Sequence, residues 1–343
     1  MRLFLVLCFL GLAGCASLGG EPFHLADPAL HVVWPDPPER ARIALLRVIR
    51  GPADIQPKYG KMHKLLTLVT GEEPPAEGFA APAGITVDAG RILYVADPAA
   101  RVVHRYDLAE RSVTDITHAG DAALVSPVGV AVGGDGTLYV TDSVLAQIFI
   151  YRRDGKFLGT LHDDGHELQR PAGIAVNSRD EKIVADVLAQ KLIVFGADNH
   201  FLREITGGTG DAFNRPVSVA VDRNDNIYVT DAMNFTIRVF SKDGTYRRSI
   251  GDIGDAPGYF ARPKGVAVDS DLHLYVVDAT FDNFQIFDQT GKLLLFVGGS
   301  GDKPGEFSLP SGIFIDRNDT IYVADSQNRR VQIFQYLKEG KQL

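Results

Sequence analysis

Cysteine is almost absent from this chain. Of 343 residues only Cys8 and Cys15 carry a thiol, so nothing beyond position 15 can form a disulfide or a thiolate metal site. Long apolar runs are also scarce. The leading one, residues 3–13, is too short for a permanent transmembrane helix. Positive charge does not dominate: 35 Lys and Arg stand against 43 Asp and Glu, a net charge of −8. That balance offers no broad footprint for nucleic acid, which needs clustered cations, so no nucleic-acid partner is expected. Phosphate-loop and zinc-ligand spacings are missing. Ser143 and Ser326 have no histidine close by in sequence to serve as a base.

The first fifteen residues hold a clear signal of another kind. Met1-Arg2 precedes the apolar run, the arrangement of a secretory leader. The run ends Leu12-Ala13-Gly14-Cys15, which resembles the lipobox of bacterial lipoproteins. The resemblance implies a signal peptide over residues 1–14, cleavage before Cys15, and a diacylglyceryl group on that sulfur. More than one acyl chain gives stable attachment where a single chain would not. Ala16 follows, not Asp, which in Gram-negative lipoproteins implies transfer to the outer membrane. The expectation is an exported protein, lipid-anchored to the cell envelope, on the periplasmic face of the outer membrane if the cell is Gram-negative. A plain signal peptide with an incidental cysteine is the alternative. Residues 15–40 then read as an extended, lipid-anchored tether. Gly19-Gly20 and Trp34-Pro35-Asp36-Pro37-Pro38 disfavour regular structure, and Trp34 is expected to dock on the folded body.

The body is repetitive. Pro82, Pro127, Pro171, Pro216, Pro263 and Pro310 each open a short apolar strand. Fifteen residues after each proline comes an aspartate: Asp97, Asp142, Asp186, Asp231, Asp278 and Asp325. The copies step by 45, 44, 45, 47 and 47 residues. A period in the forties with β-type apolar runs means a propeller blade of four strands. In the fourth copy the strands fall at 217–222, 226–231, 235–240 and 245–251, with Asp243-Gly244 as the last hairpin turn. The sixth copy ends after its third strand. Upstream of the first copy, residues 41–51 read as an orphan fourth strand. The expected fold is all-β, a six-bladed propeller over residues 41–338, closed by this N-terminal strand completing the last blade and so covering a bare edge. Between that strand and the first copy, Met62, Leu65, Leu66 and Val69 recur at helical spacing, which predicts a helical insertion at about 58–71. It either packs on the ring or presents a basic amphipathic face to lipid or a partner.

The phrases Ile227-Tyr228-Val229-Thr230-Asp231, Leu274-Tyr275-Val276-Val277-Asp278 and Ile321-Tyr322-Val323-Ala324-Asp325, with Pro263-Lys264-Gly265-Val266-Ala267-Val268-Asp269 before them, resemble the NHL-repeat propellers. The likeness covers about residues 80–337. The third copy departs most, with Ile183 where the others have tyrosine. The resemblance implies a binding platform or, less often, an enzyme. Related enzymes set metal ligands near the axis: three histidines in peptidyl-amide lyases, acidic and amide residues in lactonases. The innermost strands here read Gly84-Ile85-Thr86-Val87 and its sisters, without His, Glu or Cys. No cofactor is therefore expected.

Three groups of residues carry the remaining chemistry. The six aspartates are read as structural, because each precedes a tight loop whose N–H groups a carboxylate accepts, and six like charges on one axis would repel. The loop His162-Asp163-Asp164-Gly165-His166-Glu167 has donors for a divalent ion at His162, Asp164 and His166, though solvated loop composition explains it as well. The residues before three consecutive repeat prolines are Arg170, Arg215 and Arg262, with Lys264 following. They open on one face of the ring, where they either pair with the neighbouring blade or form an anion-recognising patch. The function expected is a binding or scaffold propeller that recognises an envelope protein, acidic peptide or glycan through one loop face. The alternative is an envelope lyase or hydrolase of the propeller type.

Overall fold

A run such as Ile227–Asp231, rich in β-branched and aromatic residues and bounded by Asn and Asp, favours an extended strand between turns. In the computed structural model, which describes residues 23–56, 78–162, 164–208 and 212–338, these runs pair into antiparallel blades. The first blade comprises Ile85–Val87, Ile92–Asp97, Val102–Asp107 and Ser112–Ile116. The second is Pro127–Val132, Leu138–Asp142, Gln147–Tyr151 and Phe157–Thr160. The third is Pro171–Val176, Lys182–Asp186, Lys191–Phe195 and Phe201–Ile205. The fourth is Pro216–Val221, Ile227–Asp231, Thr236–Phe240 and Tyr246–Ile250. The fifth is Pro263–Val268, Leu274–Asp278, Asn283–Phe287 and Leu293–Gly298. The sixth takes Pro310–Ile315, Thr320–Asp325 and Arg330–Tyr336 from its own copy. Among the described residues the helical elements are two 3-10 turns, Pro52–Asp54 and Ala232–Asn234.

The sixth blade is completed from the other end of the chain. Strand Ile43–Ile49 pairs antiparallel with Arg330–Tyr336, setting Ile43 against Tyr336, Leu45 against Phe334 and Ile49 against Val331. The molecule is thus an all-β, six-bladed propeller closed by its N-terminal strand. Residues expected as tether up to position 40 depart from that reading from Phe23 onward. Phe23 is 7% exposed and joins the apolar core between the sixth and first blades. Arg47 stacks over its ring at 4.8 Å and donates through Nε to the Leu25 carbonyl at 3.1 Å. Val33–Trp34 adds a fifth strand beside Ile43 and Ala44, and Trp34 packs on Phe334. The apolar residues Leu25, Leu30 and Val32 cover hydrophobic surface there, which outweighs the proline-rich disfavour of regular structure. The expected leader over 1–14, Cys15 and the helical insertion at 58–71 lie outside the described residues.

Every blade buries its second strand on both sides, so apolar side chains above and below fill the seams to neighbouring blades. Among the described residues the buried apolar side chains form six clusters, one for each seam. At the axis the innermost strands approach so closely that a Cβ has no room. On Gly129 it would lie 2.1 Å from the Ala172 carbonyl oxygen, and on Gly312 it would lie 2.1 Å from that of Ala83. The fourth copy has Ser218 instead, and its hydroxyl accepts the Val266 N–H at 3.4 Å.

The repeat aspartates are all fully buried. Asp142 accepts N–H groups of Val125 (2.8 Å), Ser126 (3.0 Å), Val144 (3.1 Å) and Leu145 (3.0 Å). It thereby ties the incoming inter-blade loop to the loop after the second strand. Asp186 and Asp278 do the same. Asp231 and Asp325 accept the backbone N–H of Asn214 and Ser308 and rely otherwise on side chains, the amides of Asn234 and Asn328 and ion pairs to Arg238 at 2.7 Å and Arg330 at 2.6 Å. The aspartates are structural, as expected. Asp142→Ala leaves four N–H groups without their acceptor and costs about 3–5 kcal/mol, to be read from the urea midpoint.

The first blade uses a histidine. His104 is 3% exposed; its Nδ1 meets Asp115 at 2.7 Å and its Nε2 faces Asp97 at 3.6 Å. Burial works against the imidazolium, but the two carboxylates outweigh it and raise the pKa to about 9. A histidine whose folded pKa is raised stabilises fully below its unfolded value of about 6.5 and loses that contribution as pH rises through about 9. Unfolding free energy therefore falls between pH 7 and 10, and His104→Gln removes that part of the slope in denaturant titrations.

Candidate functional site

The six innermost strands enclose a central channel of about 800 Å3. Its walls are Val, Ile and Ala side chains with Phe314, because these strands must also fill the seams on either side. Among the described residues, none of those that line it is His, Asp, Glu or Cys. Lys264 is the charged residue of these strands, whose other polar lining residues are Thr86, Ser218 and Ser311. It stands second in Pro263–Val268, at the place of Ala83, Val128, Ala172, Val217 and Ser311 in the other copies.

Arg170, Arg215 and Arg262 ring one mouth of this channel and join Lys264 in its lining. The backbones of Arg170 and Arg262, and of Asn214 beside Arg215, are held by the blade carboxylates. The Arg170 N–H donates to Asp186 at 3.0 Å and the Arg262 N–H to Asp278 at 3.1 Å. The following loops close back on them: Val187 donates to the Arg170 carbonyl at 3.0 Å, Ala232 to that of Arg215 at 3.3 Å, and Ala279 to that of Arg262 at 3.0 Å. Arg215 has a left-handed φ of 58°, which Leu309 shares at the same place in the sixth copy, so the turn and not the charge demands it. The side chains themselves are exposed, and Lys264 is half-buried. Among the described residues no carboxylate pairs with any of the four, so pairing with a neighbouring blade does not occur there. Burial and the Arg262 charge hold the Lys264 amine below the usual lysine range. In the other half of the mouth the equivalent positions are Ala81, Ser126 and Leu309, so the charge forms a crescent.

Sequence reasoning missed the apolar partners of that crescent. Val144 is 65% exposed, Leu188 54% and Met233 49%. Each sits two residues beyond a blade aspartate; the Leu188 and Met233 loops bond to the loops of Arg170 and Arg215, while Asp142 ties the Val144 loop to Ser126. The signal was this fixed offset, at which a globular surface would ordinarily be polar.

The residues His162, Asp164 and His166 do not act together. His162 stacks on His200 with ring centroids 4.9 Å apart, and Asp164 faces the same His200 at 3.1 Å. His166 stacks on Phe201 and meets Glu204 at 3.3 Å. The loop is sewn to the neighbouring hairpin, and among the described residues no group of three such side chains has the placement of a metal site.

A family model described as "6-bladed beta-propeller" matches residues 214–282 and 270–341. No curated protein matches the chain. Solved structures similar to it include an auxiliary nutrient binding protein from Bacteroides thetaiotaomicron, at 14% identity over 76% of this chain and 70% of that one, TM-score 0.60. A gluconolactonase from Xanthomonas campestris aligns at 17% identity over 76% and 87%, TM-score 0.59. A virginiamycin B lyase from Staphylococcus aureus aligns at 14% over 75% and 96%, TM-score 0.57. At such identities the likeness carries the fold alone.

A half-buried cation beside another cation, without a counter-charge, opposes folding. Lys264→Met therefore raises stability by about 1 kcal/mol in denaturant unfolding. A loss of stability instead would show that the amine already has a partner in the folded protein.

Proposed function

We propose that this protein is a lipid-anchored envelope module that binds an anionic partner at the arginine-bearing mouth of its channel. The observation that carries the reading is the convergence of Arg170, Arg215, Arg262 and Lys264, from consecutive blades, with no carboxylate of the described residues to neutralise them. On a chain of net charge −8, such a set stands out electrostatically. Arginine forks match carboxylate groups bidentately, and a rigid ring loses little entropy on binding. A protein segment, acidic peptide or acidic glycan supplies the complementary charge. The leader-like start, Cys15 and Ala16 support export and acylation, with the outer membrane as the site in a Gram-negative cell. NHL-type repeat phrases support a platform role. Among the described residues the channel lining holds no acid–base pair for a hydrolytic step, which favours binding over turnover.

The test is capture from detergent-solubilised membranes with purified protein. Arg170, Arg215 and Arg262 changed together to Ala weaken capture by about 100-fold or more, since each charge-assisted bond contributes about 1.5–3 kcal/mol. Capture by the native protein falls as salt rises from 0.05 to 0.5 M. Undiminished capture by the triple variant would remove the patch from the function.

A further inference from the structure

Cationic and apolar side chains alternate around the mouth. In ring order they are Val144, Arg170, Leu188, Arg215, Met233 and Arg262. The alternation is built by the fold. Asp186 binds the N–H groups of Arg170 and Leu188 together, at 3.0 and 3.2 Å. Met233 donates its N–H to the Asn214 carbonyl at 3.0 Å while Ala232 donates to that of Arg215. In two adjacent blades a charged residue is therefore locked beside an exposed aliphatic one, Arg170 by Leu188 and Arg215 by Met233. A purely anionic glycan satisfies the arginines and leaves Leu188 and Met233 in water. A bilayer has both chemistries but is flat, while Lys264 and Phe235 are recessed in the channel lining. The chain also enters the fold at the far rim: the Phe23 carbonyl accepts from Arg91 at 3.4 Å, and Arg91 lies in the turn at the opposite end of the innermost strand.

We infer that the mouth docks an extended peptide segment in which acidic and aliphatic residues are interspersed. This deepens the proposed anion-binding function and rests on it. Carboxylates of the segment engage Arg170, Arg215 and Arg262, and its aliphatic side chains cover Val144, Leu188 and Met233. The full chain, purified in detergent, is titrated by fluorescence anisotropy with a short Glu/Leu peptide, a polyglutamate of equal charge, an oligogalacturonate and anionic phosphatidylglycerol vesicles.

The Glu/Leu peptide binds about tenfold more tightly than polyglutamate, the gain expected from covering two or three aliphatic side chains. The double variant Leu188→Ser, Met233→Ser erases that margin and leaves polyglutamate binding unchanged. Both substitutions are on exposed positions, and an unchanged thermal midpoint certifies the fold. Equal binding of the two peptides, or preference for oligogalacturonate or vesicles, overturns this inference while leaving the anion site intact. Failure of every anionic probe, or indifference to the triple arginine variant, overturns the underlying function as well.

Discussion

A buried carboxylate at the end of each second strand holds this structure together. Taking six carboxylates out of water costs several kcal/mol apiece unless each finds donors, and here each does. The donors come from two loops at once, so satisfying the charge also fixes where the chain enters the blade and where it leaves the second strand. The copies solve the same problem with different means. Asp142 and Asp186 use four N–H groups, Asp325 uses Arg330 and Gln332, and Asp97 is shared with His104. His104 raises a further demand, met by Asp115, and its imidazolium in turn helps draw Asp97 below the usual carboxylate range against the opposing effect of burial.

The same carboxylates build the site. Arg170 and Arg262 give their backbone N–H groups to Asp186 and Asp278, so their side chains leave a rigid platform. Little is left for the side chains to pair with locally, because the nearest acids have spent their acceptor capacity on backbone. Structural anion and exposed cation are thus separated by construction. The glycines near the axis contribute in a complementary way. By letting Gly312 close on Ala83 they hold the ring at its tight radius and bring cations from three blades to one opening.

Much of this was legible because it repeats. A proline, an apolar strand and an aspartate at constant spacing define a blade whatever the side chains around them do, and the missing fourth strand of the last copy pointed to residues 41–51. What was not legible depends on partners distant in sequence. The loop with His162, Asp164 and His166 looked like a ligand set, yet its partners are His200, Phe201 and Glu204 in the next hairpin. Residues 23–34 looked like linker, but Phe23, Val32 and Trp34 find apolar surface that exists only once the ring has closed. The arginines could be named from sequence. Whether they had local partners depended on where each aspartate had directed its oxygens.

On the proposed function, the cationic crescent is a cost retained for binding. Lys264 occupies a wall position that five other copies fill with Ala, Val or Ser, and burial together with Arg262 disfavours its charge. A sequence under pressure for stability alone would place a small apolar residue there. An anion entering the mouth reverses the balance: it restores the lysine's preference for its charged state, relieves the repulsion from Arg262, and regains the electrostatic energy that folding gave up. Binding and protonation at Lys264 are therefore coupled. Because the uncomplexed amine releases its proton more readily than an ordinary lysine, affinity for an anion weakens on the alkaline side earlier than the arginines alone would allow.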